Sequence, residues 1–190
     1  MKNGMKSFIV LGTIVLSAVS SLAFAAGKGE RGGPLGKVYY TAVNIWYEKP
    51  REIPTTNYHR GTIIPVNTKA TITEYNTKEV TFKTENNVEY TLVYVARHSI
   101  KPMSDLFNQY FSEKEIALDR FTEEEQKYIK KGDVTSGMSK EAVLAAFGYP
   151  PAHATASIDA NQWKYWENRF TNFLVTFNNN TVTDIGDEML

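Results

Sequence analysis

Lys131-Gly132-Asp133-Val134-Thr135-Ser136-Gly137-Met138-Ser139-Lys140-Glu141-Ala142-Val143-Leu144-Ala145-Ala146-Phe147-Gly148-Tyr149-Pro150-Pro151 is the stretch on which the reading of this fold turns. Ser139 is a good helix N-cap, because its hydroxyl can accept from a backbone N–H of the first turn. Val143, Leu144 and Phe147 then form the apolar stripe of a short helix. Gly148 ends it, and Pro150-Pro151 forbids its continuation. Upstream, Thr122 followed by Glu125 makes a capping box, and Gly132 stops the helix so begun. Glu123-Glu124-Glu125 at its start and Lys130-Lys131 at its end complement the helix dipole. The expected setting of these charges is a solvated helix face.

Downstream lie Trp163-Lys164-Tyr165-Trp166, Phe173-Leu174-Val175-Thr176-Phe177 and Val182-Thr183-Asp184-Ile185, with Asn178-Asn179-Asn180 as a tight turn between the last two. Two helices followed by three short strands predict an α+β layer in which the helices cover one sheet face. Alternation puts Trp163 and Tyr165 on one face of the sheet and Trp166 on the other.

The residues before the first of these helices read differently. Val38 to Val43, Thr62 to Val66, Thr71 to Tyr75, Val80 to Lys83 and Glu89 to Val95 are short runs of strand formers separated by turn signals such as Asn67-Thr68, Asn76-Thr77-Lys78 and Asn86-Asn87. Such spacing predicts a small antiparallel barrel of about five strands, SH3-like in kind. Pro102 opens a helical stretch in which Met103, Leu106, Phe107, Tyr110 and Phe111 recur at helical spacing. The expected layout is a β-rich module at 37–98, a helical connector at 99–121 and an α+β domain at 122–190.

The run from Lys131 through Pro150, with Gly137-Met138-Ser139 stepping into a helix and Gly148-Tyr149-Pro150 leaving it, resembles the SmpA/OmlA family, the BamE-like group of outer-membrane assembly lipoproteins. Gln162-Trp163-Lys164-Tyr165 and Leu174-Val175-Thr176-Phe177 fit that family's later strands. The resemblance covers about residues 122–185. It implies an ααβββ domain and a small, non-catalytic accessory of β-barrel insertion or envelope integrity. The chain departs from the family in having no cysteine to carry a lipid and in its additional β-rich half.

Export is read from the other end. Lys2 and Lys6 precede an apolar run from Phe8 to Val19, and Ala23-Phe24-Ala25 gives the small-x-small pattern that signal peptidase accepts. The run is shorter than the roughly 18 residues a spanning helix needs. The expectation is a signal peptide at 1–25, then a flexible leader at 26–36 with five glycines and Pro34, and a periplasmic or secreted protein with no stable membrane span. Removing 1–25 takes two of the 21 basic residues and none of the 21 acids, so the remaining 165 residues carry a net charge of −2. That balance argues against broad electrostatic binding of nucleic acid or anionic lipid. The absence of cysteine excludes disulfides, thiolate metal sites and cysteine nucleophiles. An aromatic supply of 11 Tyr, 10 Phe and 3 Trp must furnish the core instead.

Residue patterns that carry reaction chemistry are sparse. His59, His98 and His153 have no short ligand spacing, so a zinc site would have to be assembled from all three in space. The serines lack a G-x-S-x-G context, and no glycine-rich phosphate loop follows a strand. Glu48 and Glu52 flank Lys49-Pro50-Arg51 and read either as a solvated loop or as a carboxylate pair of the kind used in sugar hydrolysis. No catalytic, cofactor-binding or metal-binding residue emerges.

Two aromatic and cationic clusters remain for partner binding. One is Trp46, Tyr47, Tyr58, His59 and Arg60, with Asn57, in expected loops of the β half. The other is Trp166, Arg169 and Phe170. Competing readings make Trp46 and Tyr58 plugs of the barrel ends, and Trp166 a packing residue between the halves. The functional expectation is a non-enzymatic exported envelope protein whose partner is another envelope protein, with barrel-assembly components as candidates. The alternative is a module binding a peptide or cell-wall fragment through Trp46, Tyr47 and Tyr58.

Overall fold

A computed structural model of the chain describes residues 33–187. The expected signal peptide and most of the leader lie outside the described residues. The end of that leader is ordered into a turn, in which Lys37 N–H donates to the Pro34 carbonyl and Gly36 N–H to the Ile72 carbonyl.

The molecule is α+β. Strands β1 (Val38–Thr41), β2 (Ile45–Tyr47), β3 (Ile53–Pro54), β4 (Thr62–Ile64), β5 (Lys69–Tyr75), β6 (Glu79–Thr84) and β7 (Glu89–Val93) come first. Helix α1 (Met103–Tyr110) and strand β8 (Phe111–Ser112) follow. Then come a 3-10 turn (Leu118–Arg120), helices α2 (Glu123–Lys131) and α3 (Lys140–Phe147), and strands β9 (Gln162–Trp166), β10 (Asn172–Asn178) and β11 (Thr181–Asp187).

The first half is a curled, open sheet rather than a closed five-stranded barrel. Its six strands run in the order β3-β7-β6-β5-β1-β8. The β3–β7 pair is parallel, so the sheet is not wholly antiparallel. Strands β2 and β4 leave it to form a separate two-stranded ribbon, Trp46 opposite Ile63. The expected connector holds α1, whose Met103, Leu106, Phe107 and Tyr110 are buried in the same core as Ile72, Phe82 and Leu92. Pro102 stands at the N-cap of α1, where its missing N–H costs nothing. Phe111 leaves the helix and begins β8, which pairs with β1.

The second half has the expected element order. Its meander runs β11-β10-β9, and Asn179 and Asn180 both have positive φ, the conformation of a two-residue hairpin turn. Trp163, Tyr165, Val175, Phe177 and Val182 are buried under Ile129, Met138, Val143 and Phe147. Trp166 lies on the far face, half-buried. No helix among the described residues is long and apolar enough to cross a membrane.

The three glutamates at the head of α2 do not share one fate. Glu125 is only 8% exposed, a correction to the expected solvated face. It closes the capping box by accepting from Thr122 N–H at 3.0 Å, while Thr122 Oγ1 accepts from Glu125 N–H. Its other oxygen accepts from Ser139 N–H at 2.8 Å and Ser139 Oγ at 2.7 Å. One carboxylate thus serves the N-termini of both helices. Burial raises its pKa, but the hydrogen bonds from Ser139 and Thr122 outweigh that and hold it below the usual range. Glu125→Ala is expected to cost about 2 kcal/mol at neutral pH, the loss of a cap plus charge-assisted bonds. A carboxyl with a lowered folded pKa contributes stability above its unfolded pKa and loses it as pH falls through the folded one. The gap between Glu125→Ala and wild type in urea midpoint should therefore close in acid.

Candidate functional site

The two halves meet at the end of α3. The last four carbonyls of an α-helix have no partner within it and must find one elsewhere. Here Gly148 N–H returns to the Leu144 carbonyl, and the next three carbonyls are taken by the β half. Asn44 N–H donates to Ala145 O at 3.0 Å. Asn44 Nδ2 donates to Ala146 O at 3.1 Å and to Ile129 O of α2 at 2.6 Å, and Asn44 Oδ1 accepts from Val66 N–H at 2.8 Å. Phe147 O accepts from Asn57 Nδ2 at 2.7 Å and from His59 Nε2 at 2.9 Å.

The β2–β4 ribbon carries this seam. Gly132, in the left-handed conformation at the end of α2, faces Trp46 and Ile63 of the ribbon. A methyl group there would collide with Ile63 and come within 2.9 Å of the Trp46 ring, so this glycine serves both as cap and as seat for the ribbon. Val66, just past β4, joins the core of the second half.

His59 is enclosed by Phe147, Tyr165, Phe173 and Trp46, with ring centroids 4.3, 5.1, 5.7 and 6.0 Å away. A carbonyl can only accept, so Nε2 carries the proton and Nδ1 is bare. Nδ1 is buried with no hydrogen-bond partner. Burial lowers the His59 pKa to about 4, against the smaller upward pull of the Phe147 carbonyl.

The sequence-predicted site residues thus divide. Trp46 and His59 are committed to the seam, and Trp46 sits on a strand rather than in a loop. Tyr47, on the same strand, packs edge-on to Tyr90 at 5.1 Å. Trp166 contributes its carbonyl, which accepts from His59 N–H at 3.0 Å, while its ring lies tilted against His153 at 5.2 Å. The remaining four come together: Tyr58 and Arg60 from the first cluster meet Arg169 and Phe170 from the second, and with Asn168 they line an open groove of about 400 Å3. Phe170 is 77% exposed at the β9–β10 hairpin tip. Asn168 Oδ1 accepts from Phe170 N–H at 2.9 Å and Thr171 N–H at 3.1 Å, which fixes that tip. The Arg169 guanidinium lies over the Phe170 ring, 4.4 Å from its centroid.

A second depression, of about 240 Å3, opens between residues 98–110 and 149–158. Ile100 and Ile158 stand in its lining, 72% and 43% exposed. His98 and His153 adjoin it, rings 5.0 Å apart, with His153 Nδ1 3.1 Å from the His98 carbonyl. No group of three or more potential metal ligands occurs among the described residues. Glu48 is paired with Arg60, and Glu52 with Lys49 at 2.8 Å, both on the exposed surface.

Sequence reasoning missed Asn44. Its signal was an amide inside the apolar run Ala42-Val43-Asn44-Ile45-Trp46, where burial demands partners. It also treated the two aromatic clusters as separate, because the pairing of residues about 110 apart in the chain is a tertiary fact. No protein-family model, curated protein or solved structure matches the chain.

Proposed function

We propose that this chain is an exported, non-enzymatic accessory of the cell envelope, serving outer-membrane protein assembly or envelope integrity by binding another envelope protein. The observation that carries this reading is the groove of Tyr58, Arg60, Arg169 and Phe170. It joins the exposed Phe170 and Arg169, on a tip held by its own hydrogen bonds, with Tyr58 and Arg60 of the segment between β3 and β4. Aromatic and arginine anchors on a rigid support are the residues that dominate binding energy at protein interfaces. The groove lining holds no histidine, serine or carboxylate to act as base or nucleophile. The succession of two capped helices and a three-stranded meander is also the arrangement that the SmpA/OmlA resemblance implies. A cell-wall or peptide site built on Trp46 draws no such support, since that ring is packed over Gly132 in the seam.

The test is capture from detergent-solubilised envelopes with immobilised residues 26–190, read by immunoblot for barrel-assembly components. Wild type should recover them, and Arg169→Ala with Phe170→Ala should reduce recovery by at least tenfold, the effect of removing about 1.4 kcal/mol or more of anchoring. Recovery of none of them by wild type, or equal recovery by both proteins, overturns the reading.

A further inference from the structure

The groove and the cleft are two ends of one strip along the seam. From the groove, Tyr58 leads to His59, whose N–H is bonded to the Trp166 carbonyl. The Trp166 ring lies against His153, and His153 is bonded to the carbonyl of His98, which lines the cleft. Tyr58, Trp166, His153 and His98 are each at least partly exposed, so these contacts join an arginine–aromatic end to an aliphatic end along the surface. Its aliphatic end, at about 240 Å3, is below the roughly 300–1,000 Å3 of sites that enclose drug-sized ligands. It is suited to an aliphatic side chain standing between Ile100 and Ile158. The charged residues in the lining of the two depressions are cationic. Arg60, Arg169 and Lys101 line the two depressions and no Asp or Glu does. Glu48 offsets Arg60, whereas neither Arg169 nor Lys101 has a carboxylate partner among the described residues.

From this we infer that the seam strip takes an extended segment of a partner protein that is acidic where it meets Arg169 and bears an aliphatic side chain for the Ile100–Ile158 cleft. The inference rests on the reading that the chain binds a protein and adds the chemistry of what is bound. Like charge at Arg169 and Lys101 disfavours basic segments, and one carboxylate placed over Arg169 would complete a guanidinium already held against Phe170.

The test is selection of a random twelve-residue peptide display library on immobilised residues 26–190, followed by fluorescence anisotropy with the synthesised consensus peptide. The expected consensus pairs Asp or Glu with Leu, Ile or Val several positions away. Arg169→Ser and the double change Ile100→Ser with Ile158→Ser lie on exposed side chains that the fold does not need, and each should weaken binding tenfold or more. No enrichment, a basic consensus, or affinity indifferent to the Ile100/Ile158 variant overturns the inference. So does a concentration-dependent dimer, seen by sedimentation, that these same changes abolish, since the strip's occupant would then be a second copy. The two claims fail separately. Failure of the library with successful envelope capture removes the inference alone. An acidic–aliphatic consensus with no barrel-assembly component captured removes the envelope reading and leaves the strip.

Discussion

Asn44→Ala is expected to lower unfolding free energy by about 4 kcal/mol, the largest loss from any single polar side chain in the seam. The truncation leaves the Ala146 carbonyl without a donor and the Val66 N–H without an acceptor, and takes from the Ile129 carbonyl one of its two donors, the Gly132 N–H remaining, all inside the protein. Each buried polar group left without a partner costs about 1–3 kcal/mol. Relaxation and water entry recover part of the sum, which places the total near 4 rather than at the upper limit. Against a usual domain stability of about 5–15 kcal/mol, that is a large share. Asn44 bonds to both helices of the second half, so the loss should fall on both halves together. Urea unfolding followed by tryptophan fluorescence and by far-ultraviolet dichroism should show both signals move to a lower midpoint. An unchanged midpoint would mean that Asn44 does not hold the seam.

The second large effect is a loss of stability in mild acid through His59. Unfolded, its imidazole titrates near 6.5; folded, it does so at about 4. Because the folded pKa is depressed, the unfolded state takes up the proton first as pH falls. Stability is therefore intact above about 6.5, declines through the window from 6.5 to 4 and is fully lost to this group below that. The interval corresponds to about 3 kcal/mol at 1.36 kcal/mol per unit. A helix C-terminus would ordinarily favour a charged histidine by up to about 2 kcal/mol. Here the Nε2 bond to Phe147 is already made by the neutral ring, and a proton on Nδ1 would have no acceptor, so burial prevails. His59→Phe keeps the aromatic packing and leaves Phe147 O its bond from Asn57. It should flatten the dependence of stability on pH between 6.5 and 4 while lowering stability modestly at pH 7. A variant that retained the wild-type slope would assign the acid response to other groups. Glu125 acts in a lower window, as its carboxyl protonates below the usual range, so the two contributions separate on the pH axis.

What could be read from the sequence was what local chemistry writes. Thr122, Glu125, Gly132, Ser139 and Gly148 all cap the helices as their residue types require. The Asn178–Asn180 turn and the face shared by Trp163 and Tyr165 follow from two-residue hairpins and alternation. What could not be read was partner choice over distance. Ile45-Trp46-Tyr47 and Thr62-Ile63-Ile64 pair with each other outside the main sheet and pack against Gly132 of the second half, a partner about 70 residues or more away that their own pattern does not name. Strand β8 has two residues, too few for any period, and Phe111 fits the helical stripe of α1 as well as it fits a strand. The capping-box role of Glu125 was legible, but its second role, accepting from Ser139 at the head of α3, was not. Of the candidate site, the residue types were legible in both clusters; their union at Tyr58, Arg60, Arg169 and Phe170 was not.

The capping of α3 by Asn44, Asn57 and His59 also bears on how the chain reaches its fold. These bonds link residues 88–102 positions apart. Loop-closure entropy grows only logarithmically, so the span itself adds little beyond what a loop half as long would cost, about 0.6 kcal/mol per doubling. The greater burden is order in time, since long-range contacts reward the chain only after both ends are built. A ribosome makes the asparagines and the histidine first, and the helix they finish emerges roughly a hundred residues later. Until the second half is in place, the donors of Asn44, Asn57 and His59 can bond only to water, so these contacts close late in folding.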